Sequence, residues 1–300
     1  MFYLVPVDFA VVTAYQPVGD LVALARAAEE HGYRALSVAD HVVDLETLAT
    51  PYPYTSDGSR RWNTDVDWPD PWVTMGALAQ VTTRLEFFTS IYVAAMRNPF
   101  VVAKAVGTAA ALADGRISLG VGVGWCREEF DLLEQDFTTR GKRTDEALAL
   151  MKDLWRPGWT EFEGEFYSCE RLVMKPEPPG PIPIWVGGIS EVALRRAARH
   201  DGWVSDTCTV DQAVEVAAQL QALRAEAGRD LEAPYDVVVA LTDAVTPDDF
   251  ARAGAGGVTL VMTMPWLYYY GPDATIDQKV DGIRRYREDI IEPLGTTSSG

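Results

Sequence analysis

A (β/α)8 TIM barrel is the fold class that this sequence predicts, and three observations predict it. Short β-rich runs alternate with longer helical patterns eight times, the signature of βα units on a parallel sheet. The chain has 300 residues, room for one barrel of about 250 with added loops. The spacing is uneven, and two of the three long departures follow strands, on the side where a barrel enzyme carries its functional loops.

The units follow in order. Tyr3 to Val12 is a β-rich run, and Pro17 opens a helical pattern that reaches His31. Ala35 to Ala39 is the second strand; after a long gap Pro71 opens a helix to Thr82. Leu85 to Val93 leads to the helix Pro99 to Ala113, and Ile117 to Val121 leads to the helix Arg140 to Trp155. Ile182 to Val186, Gly202 to Ser205, Asp236 to Leu241 and Gly257 to Thr263 complete the strands. Their helices run Glu191 to His200, Asp211 to Ala227, Pro247 to Ala253 and Ala274 to Ile291. Proline opens several helices, at the turn where its missing N–H would be unpaired anyway.

A single domain over residues 1–300 is expected, with insertions at about 42–70, after strand two, and about 156–181, before strand five. The first carries Tyr52, Tyr54, Trp62 and Trp68 among prolines and small polar residues, a composition that predicts a lid. The second contains "TEFEGEFYS", whose alternation around Gly164 predicts a hairpin. A third segment, "MTMPWLYYYGP", leaves the last strand with Trp266, Tyr268, Tyr269 and Tyr270 close together. Any one of these aromatics is accounted for by packing a loop down; four at a strand end point to a pocket wall. The tail "GTTSSG", residues 295–300, is expected to be disordered.

Composition narrows the function. The chain is 48% hydrophobic, yet no apolar run is long enough to span a bilayer, and Met1 leads into a strand-like segment and not a signal peptide. A soluble, cytoplasmic protein is expected, with no membrane partner. A net charge of -18 repels polyanions and makes nucleic acid a poor partner. One small anionic cofactor remains compatible, because backbone N–H groups act locally while salt screens distant charge. Cys126, Cys169 and Cys208 are odd in number and lack a C-x-x-C pair, so neither a disulfide framework nor a metal site is expected.

One stretch, "ISLGVGVGWCREEF" from Ile117 to Phe130, tests for a dinucleotide cradle. It fails: Gly120, Gly122 and Gly124 alternate, Trp125 stands where the fingerprint needs its last glycine, and several units precede it. The alternative is the end of a barrel strand whose glycines let another backbone or a ligand approach. Accommodation of the turn alone is an equal reading of these glycines.

Four segments then carry a family resemblance: "RNPFVVAKAVGTAAALADGRISLGVGVGWCREEF", "RGKRTDEALALMKDLW", "FEGEFY" and "PIPIWVGGISEVALRRAARHDGW". Together they resemble the bacterial luciferase-like monooxygenase superfamily, above all its coenzyme F420-dependent oxidoreductase branch. The resemblance extends from about Asp40 to Ser205; the carboxyl third is hardly diagnostic. It implies a barrel holding a flavin-type ring at the carboxyl-end face, and hydride transfer between the deazaflavin and a small, fairly apolar substrate. The alternative it leaves is an FMN-dependent monooxygenase using reduced flavin and oxygen. A homodimer, and a separate F420 or flavin reductase as partner, go with it.

The resemblance also implies site residues. Asp40 and His41, after strand two, match the aspartate and histidine beside the ring, and a histidine suits proton movement near neutrality. Ser90 and Ile91 match a bulge with a non-proline cis peptide that backs the ring. Gly187, Gly188 and Ser190 close strand five and open a helix, a place where backbone donors can seat phosphate; a tight turn is the alternative. Gly122, Gly124 and Trp125 match the region where some relatives carry a catalytic glutamate, and Trp125 replaces it with an apolar face. Tyr92 and Trp266 are expected to shape the open side with Trp125. Arg97 is expected to tie loops together, with anion binding as the alternative, and Arg140 and Arg143 to pair with acids. A cofactor-free hydrolase or sugar-binding barrel would need Glu128 and Glu129 as an acid pair, and adjacent residues rarely flank one bond from opposite sides.

Overall fold

The computed structural model describes residues 7–296. Residues 3–6 of the expected first strand and 297–300 of the expected disordered tail lie outside the described residues; Gly295 and Thr296 belong to a closing helix.

The chain runs β1 (Asp8–Val12), α1 (Leu21–Glu30), β2 (Ala35–Val38), α2 (Pro71–Leu78), β3 (Glu86–Thr89), β4 (Tyr92–Val93), α3 (Pro99–Leu112), β5 (Ile117–Gly122) and α4 (Arg127–Leu132). It continues α5 (Arg140–Leu154), β6 (Thr160–Glu163), β7 (Ser168–Leu172), β8 (Ile184–Gly187), α6 (Glu191–Ala197), β9 (Gly202–Cys208) and α7 (Val210–Glu226). β10 (Asp236–Leu241), α8 (Pro247–Ala255), β11 (Leu260–Thr263), α9 (Ile276–Tyr286) and α10 (Glu292–Thr296) complete it. The sheet order is β3-β2-β1-β11-β10-β9-β8-β5, and β3 also pairs with β5, so eight parallel strands close into a barrel. β4 continues the third strand beside β5 beyond a bulge. β6 and β7 form the antiparallel hairpin expected around Gly164.

Local chemistry explains the boundaries. Asp70 accepts hydrogen bonds from Trp72 and Val73 N–H at the start of α2, with Pro71 at its first position. Asn98 and Pro99 do the same for α3, and Thr209, Thr246 and Thr275 open α7, α8 and α9 with reciprocal capping boxes. The sequence shows no distinct pattern for α4, which is too short for a periodicity to register.

Strand alternation splits the core in two. Phe9, Val11, Leu36, Val38, Phe87, Leu119 and Val121 belong to the large cluster under the helices. Ala10, Ala35, Phe88, Trp185, Val204, Val238, Leu260 and Met262 form a second cluster with a member from every barrel strand but β5. That second set fills the barrel, so the sites it leaves at the carboxyl ends of the strands form the mouth. No helix among the described residues is long and apolar enough to cross a membrane.

Candidate active site

At the mouth, β5 and β8 present glycine inward. A Cβ on Gly120 would overlap the carbonyl oxygen of Thr89, and one on Gly122 would overlap Cδ1 of Ile91. A Cβ on Gly187 would crowd Ile91 from the other side, 3.0 Å from Cγ2. These glycines therefore admit the bulge that follows β3: backbone at Gly120, the Ile91 side chain at Gly122 and Gly187. The Ser90–Ile91 peptide is cis, as the resemblance implies. Ile91 packs with Val12 and Ala240 on the interior cluster, so the mouth has an apolar floor centred on one isoleucine. Ser37 Oγ, one step inside on β2, is buried with no hydrogen-bond partner, as is Trp185 Nε1 on β8.

Gly124 and Gly188 take φ of +84° and +109°, the left-handed half of the map, so both are turn glycines. Gly124 packs under Val93 and Phe130 and not at the mouth. The Ser190 hydroxyl accepts from Ala193 N–H at 3.3 Å and caps α6, while Gly188 O accepts from Trp203 Nε1 at 2.8 Å.

Above the mouth lies residue span 42–70, with neither helix nor strand, held down by two adjacent acids of α4. Glu128 accepts from Ala49 and Thr50 N–H at 2.7 and 2.8 Å; slight burial raises its carboxyl, the two N–H donors outweigh that, and its pKa settles at about 2. Glu129 is buried, accepts from Val42 N–H at 2.8 Å, and meets Nδ1 of His41 at 2.8 Å. Burial pushes the Glu129 carboxyl up, but the His41 hydrogen bond and charge and the lid N–H groups bring it below its ordinary value. Each acid holds a different lid segment, so they form no acid pair flanking one bond.

The lid brings its aromatics around His41. Trp62, Trp68 and Trp125 stand 5.3, 4.7 and 6.1 Å from the imidazole, centroid to centroid, and Tyr52 bridges Trp62 and Trp125. Tyr15, which follows β1, stacks on Trp62 at 5.8 Å. Arg61 reaches across the mouth to Asp206 at 2.9 Å, beyond the barrel part of β9.

Several expected positions are engaged in holding the scaffold together. Asp40 is buried, and its carboxylate takes a two-pronged hydrogen bond from Arg97 at 2.7 and 2.8 Å plus Val93 N–H at 3.0 Å. Burial raises this carboxyl and the guanidinium opposes the rise. Asp40 thus fastens β2 to β4, with Arg97 in the tying role. Tyr92 does not face the mouth: it is 2% exposed in the helix-side core, against Trp72 and under the Arg97 guanidinium. Trp266 is likewise displaced, 1% exposed and pressed against Gly282 of α9. Tyr269 and Tyr270 bond Asp289 and Asp281 on the carboxyl-terminal helical segment, so these two tyrosines clamp that segment. Arg140 and Arg143 bond carbonyl oxygens of Gly124, Phe137, Ala95 and Asp136, not acids. The three thiols are free.

A cavity of about 230 Å³ opens beside His41, lined by Asp40, Val42, Trp68, Asp70, Arg97 and Leu133. It lies outside the strand ends, under the lid. Pockets for drug-sized ligands run about 300–1,000 Å³, so this one suits a small group. The role that sequence reasoning missed is that of Glu129, weighed there only as half of an acid pair: its one visible signal is an acid next to the buried Phe130 on a short helix.

Comparison with known proteins adds context. A family model described as luciferase-like monooxygenase matches residues 1–269, well beyond the segment the motifs cover. An uncharacterized protein of Mycobacterium tuberculosis is 36% identical over 272 residues, covering 90% of this chain and 94% of its own. A protein of Gordonia bronchialis named F420-dependent glucose-6-phosphate dehydrogenase is 32% identical over 191 residues, 62% of this chain and 52% of that one. Among solved structures, coenzyme F420-dependent tetrahydromethanopterin reductase from Methanopyrus kandleri shares the fold, with a TM-score of 0.75, 14% identity, and coverage of 96% and 99%.

Proposed function

This chain belongs to the luciferase-like monooxygenase family, and from that premise we propose that it is a coenzyme F420-dependent oxidoreductase acting on a small, fairly apolar organic substrate. The observation that carries the reading is the floor of the mouth, where Ile91 sits over the inward faces of Gly122 and Gly187. Small apolar side chains around this isoleucine fit a planar ring. The ring would be held by Ile91, Ser90, Val12 and Ala240 from below, by Trp62 from the lid and by Trp125 from the turn after β5. Gly187, Gly188 and Ser190 would carry its phosphate-bearing tail.

When bound, the deazaflavin supplies two-electron hydride chemistry. The chain's own part is to orient, to exclude water and to move a proton. His41 is the group for the last task, an imidazole under a roof of indoles with one nitrogen engaged by Glu129. The Trp125 face next to it favours an apolar substrate over a sugar phosphate. The reading includes a homodimer through the barrel helices, supported by exposed Val73, Val101 and Leu112 on α2 and α3, and a separate reductase that replenishes the cofactor.

Fluorescence titration of the purified protein with F420 and with FMN tests the assignment. Saturable F420 binding without FMN binding supports it; the reverse outcome assigns an FMN-dependent monooxygenase instead.

A further inference from the structure

Three facts about the His41 neighbourhood combine. Nδ1 of His41 lies 2.8 Å from Oε2 of Glu129. That carboxylate is 3% exposed and its other oxygen, Oε1, faces two lid donors, Val42 N–H at 2.8 Å and Val43 N–H at 3.5 Å. Nε2 of His41 has no hydrogen bond among the described residues, and the ring lines the 230 Å³ cavity.

We propose that Glu129 is a positioning residue that fixes His41 in the Nδ1–H tautomer, so that Nε2 is the nitrogen that accepts a proton from substrate. An ionised carboxylate only accepts hydrogen bonds, so a neutral imidazole at this distance must place its proton on Nδ1. The lone pair is then on Nε2, the nitrogen free of protein partners. When Nε2 takes a proton the ring becomes a cation, and the Glu129 charge on the opposite nitrogen stabilises it. The helix α4 acid therefore serves two ends: one oxygen closes the lid and the other sets the base, so the proton acceptor is correctly oriented only when the lid is down.

This inference rests on the functional reading for its purpose but not for its test, which needs no cofactor. Long-range proton–nitrogen NMR on the full chain distinguishes protonated from bare ring nitrogens. With three histidines in the chain, a His41→Gln spectrum assigns the signals. At a pH where the ring is neutral, the wild type is expected to show a protonated Nδ1 and a bare Nε2. Glu129→Gln makes a sharper demand. Its amide oxygen must stay toward Val42 and Val43 N–H, which turns the amide nitrogen, a donor, onto Nδ1. The tautomer then inverts while the lid anchor survives. Turnover with F420 is expected to fall on the order of 10²–10⁴-fold in that variant, the usual range for a lost acid–base group, with cofactor affinity kept. A wild-type proton on Nε2, or a Glu129→Gln protein with the wild-type tautomer, overturns the proposal. Failure to bind F420 would sink the functional reading and leave the tautomer assignment standing.

Discussion

Gly120 and Gly122 sit two residues apart on β5 and face the same way, yet alanine should do different damage at each. At Gly120 the new Cβ would lie well inside the 3.0 Å that real Cβ atoms keep from a neighbour, and that neighbour is the Thr89 carbonyl oxygen, part of the backbone. The bulge must move, straining the 2.6 Å bond from Thr89 Oγ1 to Gly120 O. A lost neutral hydrogen bond costs about 1 kcal/mol and overpacking about 1–3, so Gly120→Ala should lose about 2–4 kcal/mol in denaturant unfolding. At Gly122 the neighbour is the end of the Ile91 side chain, which can rotate away. Gly122→Ala should therefore lose about 1 kcal/mol or less of stability, but with Ile91 displaced, F420 affinity should fall at least about tenfold, or 1.4 kcal/mol. A Gly120→Ala protein that unfolds like wild type refutes the close approach of the Thr89 backbone, and a Gly122→Ala protein that binds F420 normally refutes Ile91 as the floor.

Further outcomes are open to measurement. Removing Arg97 with Arg97→Ala strands the buried Asp40 carboxylate and should cost about 3–5 kcal/mol in unfolding, whereas Asp40→Asn should cost less. Burial and nearby Lys152 depress His200 to about 4 from 6.5, and its Nδ1 is unpartnered. A depressed folded value means stability that is complete above pH 6.5 and is lost as pH falls toward 4, about 3 kcal/mol in all, and His200→Gln should flatten that slope. Glu128, at about 2, works in the acid range: its hold on the lid is present above its unfolded value near 4.5 and fades as pH drops toward 2. Hydrogen-exchange protection at Ala49 and Thr50, relative to an unprotected amide at the same pH, should fall over that window, and in Glu128→Ala should be low throughout.

The barrel was legible because it rests on local, repeated signals: eight apolar runs alternating with helical patterns, and prolines at helix starts. The hairpin at Gly164 was legible for the same reason. The mouth was half legible. Glycines at 120 and 122 were compatible with a close approach or with a turn alone; what approaches them is the bulge after β3, more than thirty positions away in sequence, and no periodicity encodes such a contact. Trp266 and Tyr92 were misplaced because alternation at a strand end fails where a bulge or a helical turn resets which way side chains face. Arg97 was read as a tie, and it is one, though its partner Asp40 was expected beside the ring. Glu129 was weighed only as half of an acid pair, and its contact with His41 was the largest omission. Its role comes from burial and from a partner on another strand end, neither visible in a run of two acids.

The floor of the barrel mouth is the claim on which the rest depends, and a crystal structure of the protein with bound F420 tests it directly. The account predicts the deazaflavin lying against Ile91, above Gly122 and Gly187 and beneath the lid indoles, with Nε2 of His41 on the ring's open side. A ring seated in the outer cavity beside Asp70 and Leu133, with Ile91 untouched, would contradict it.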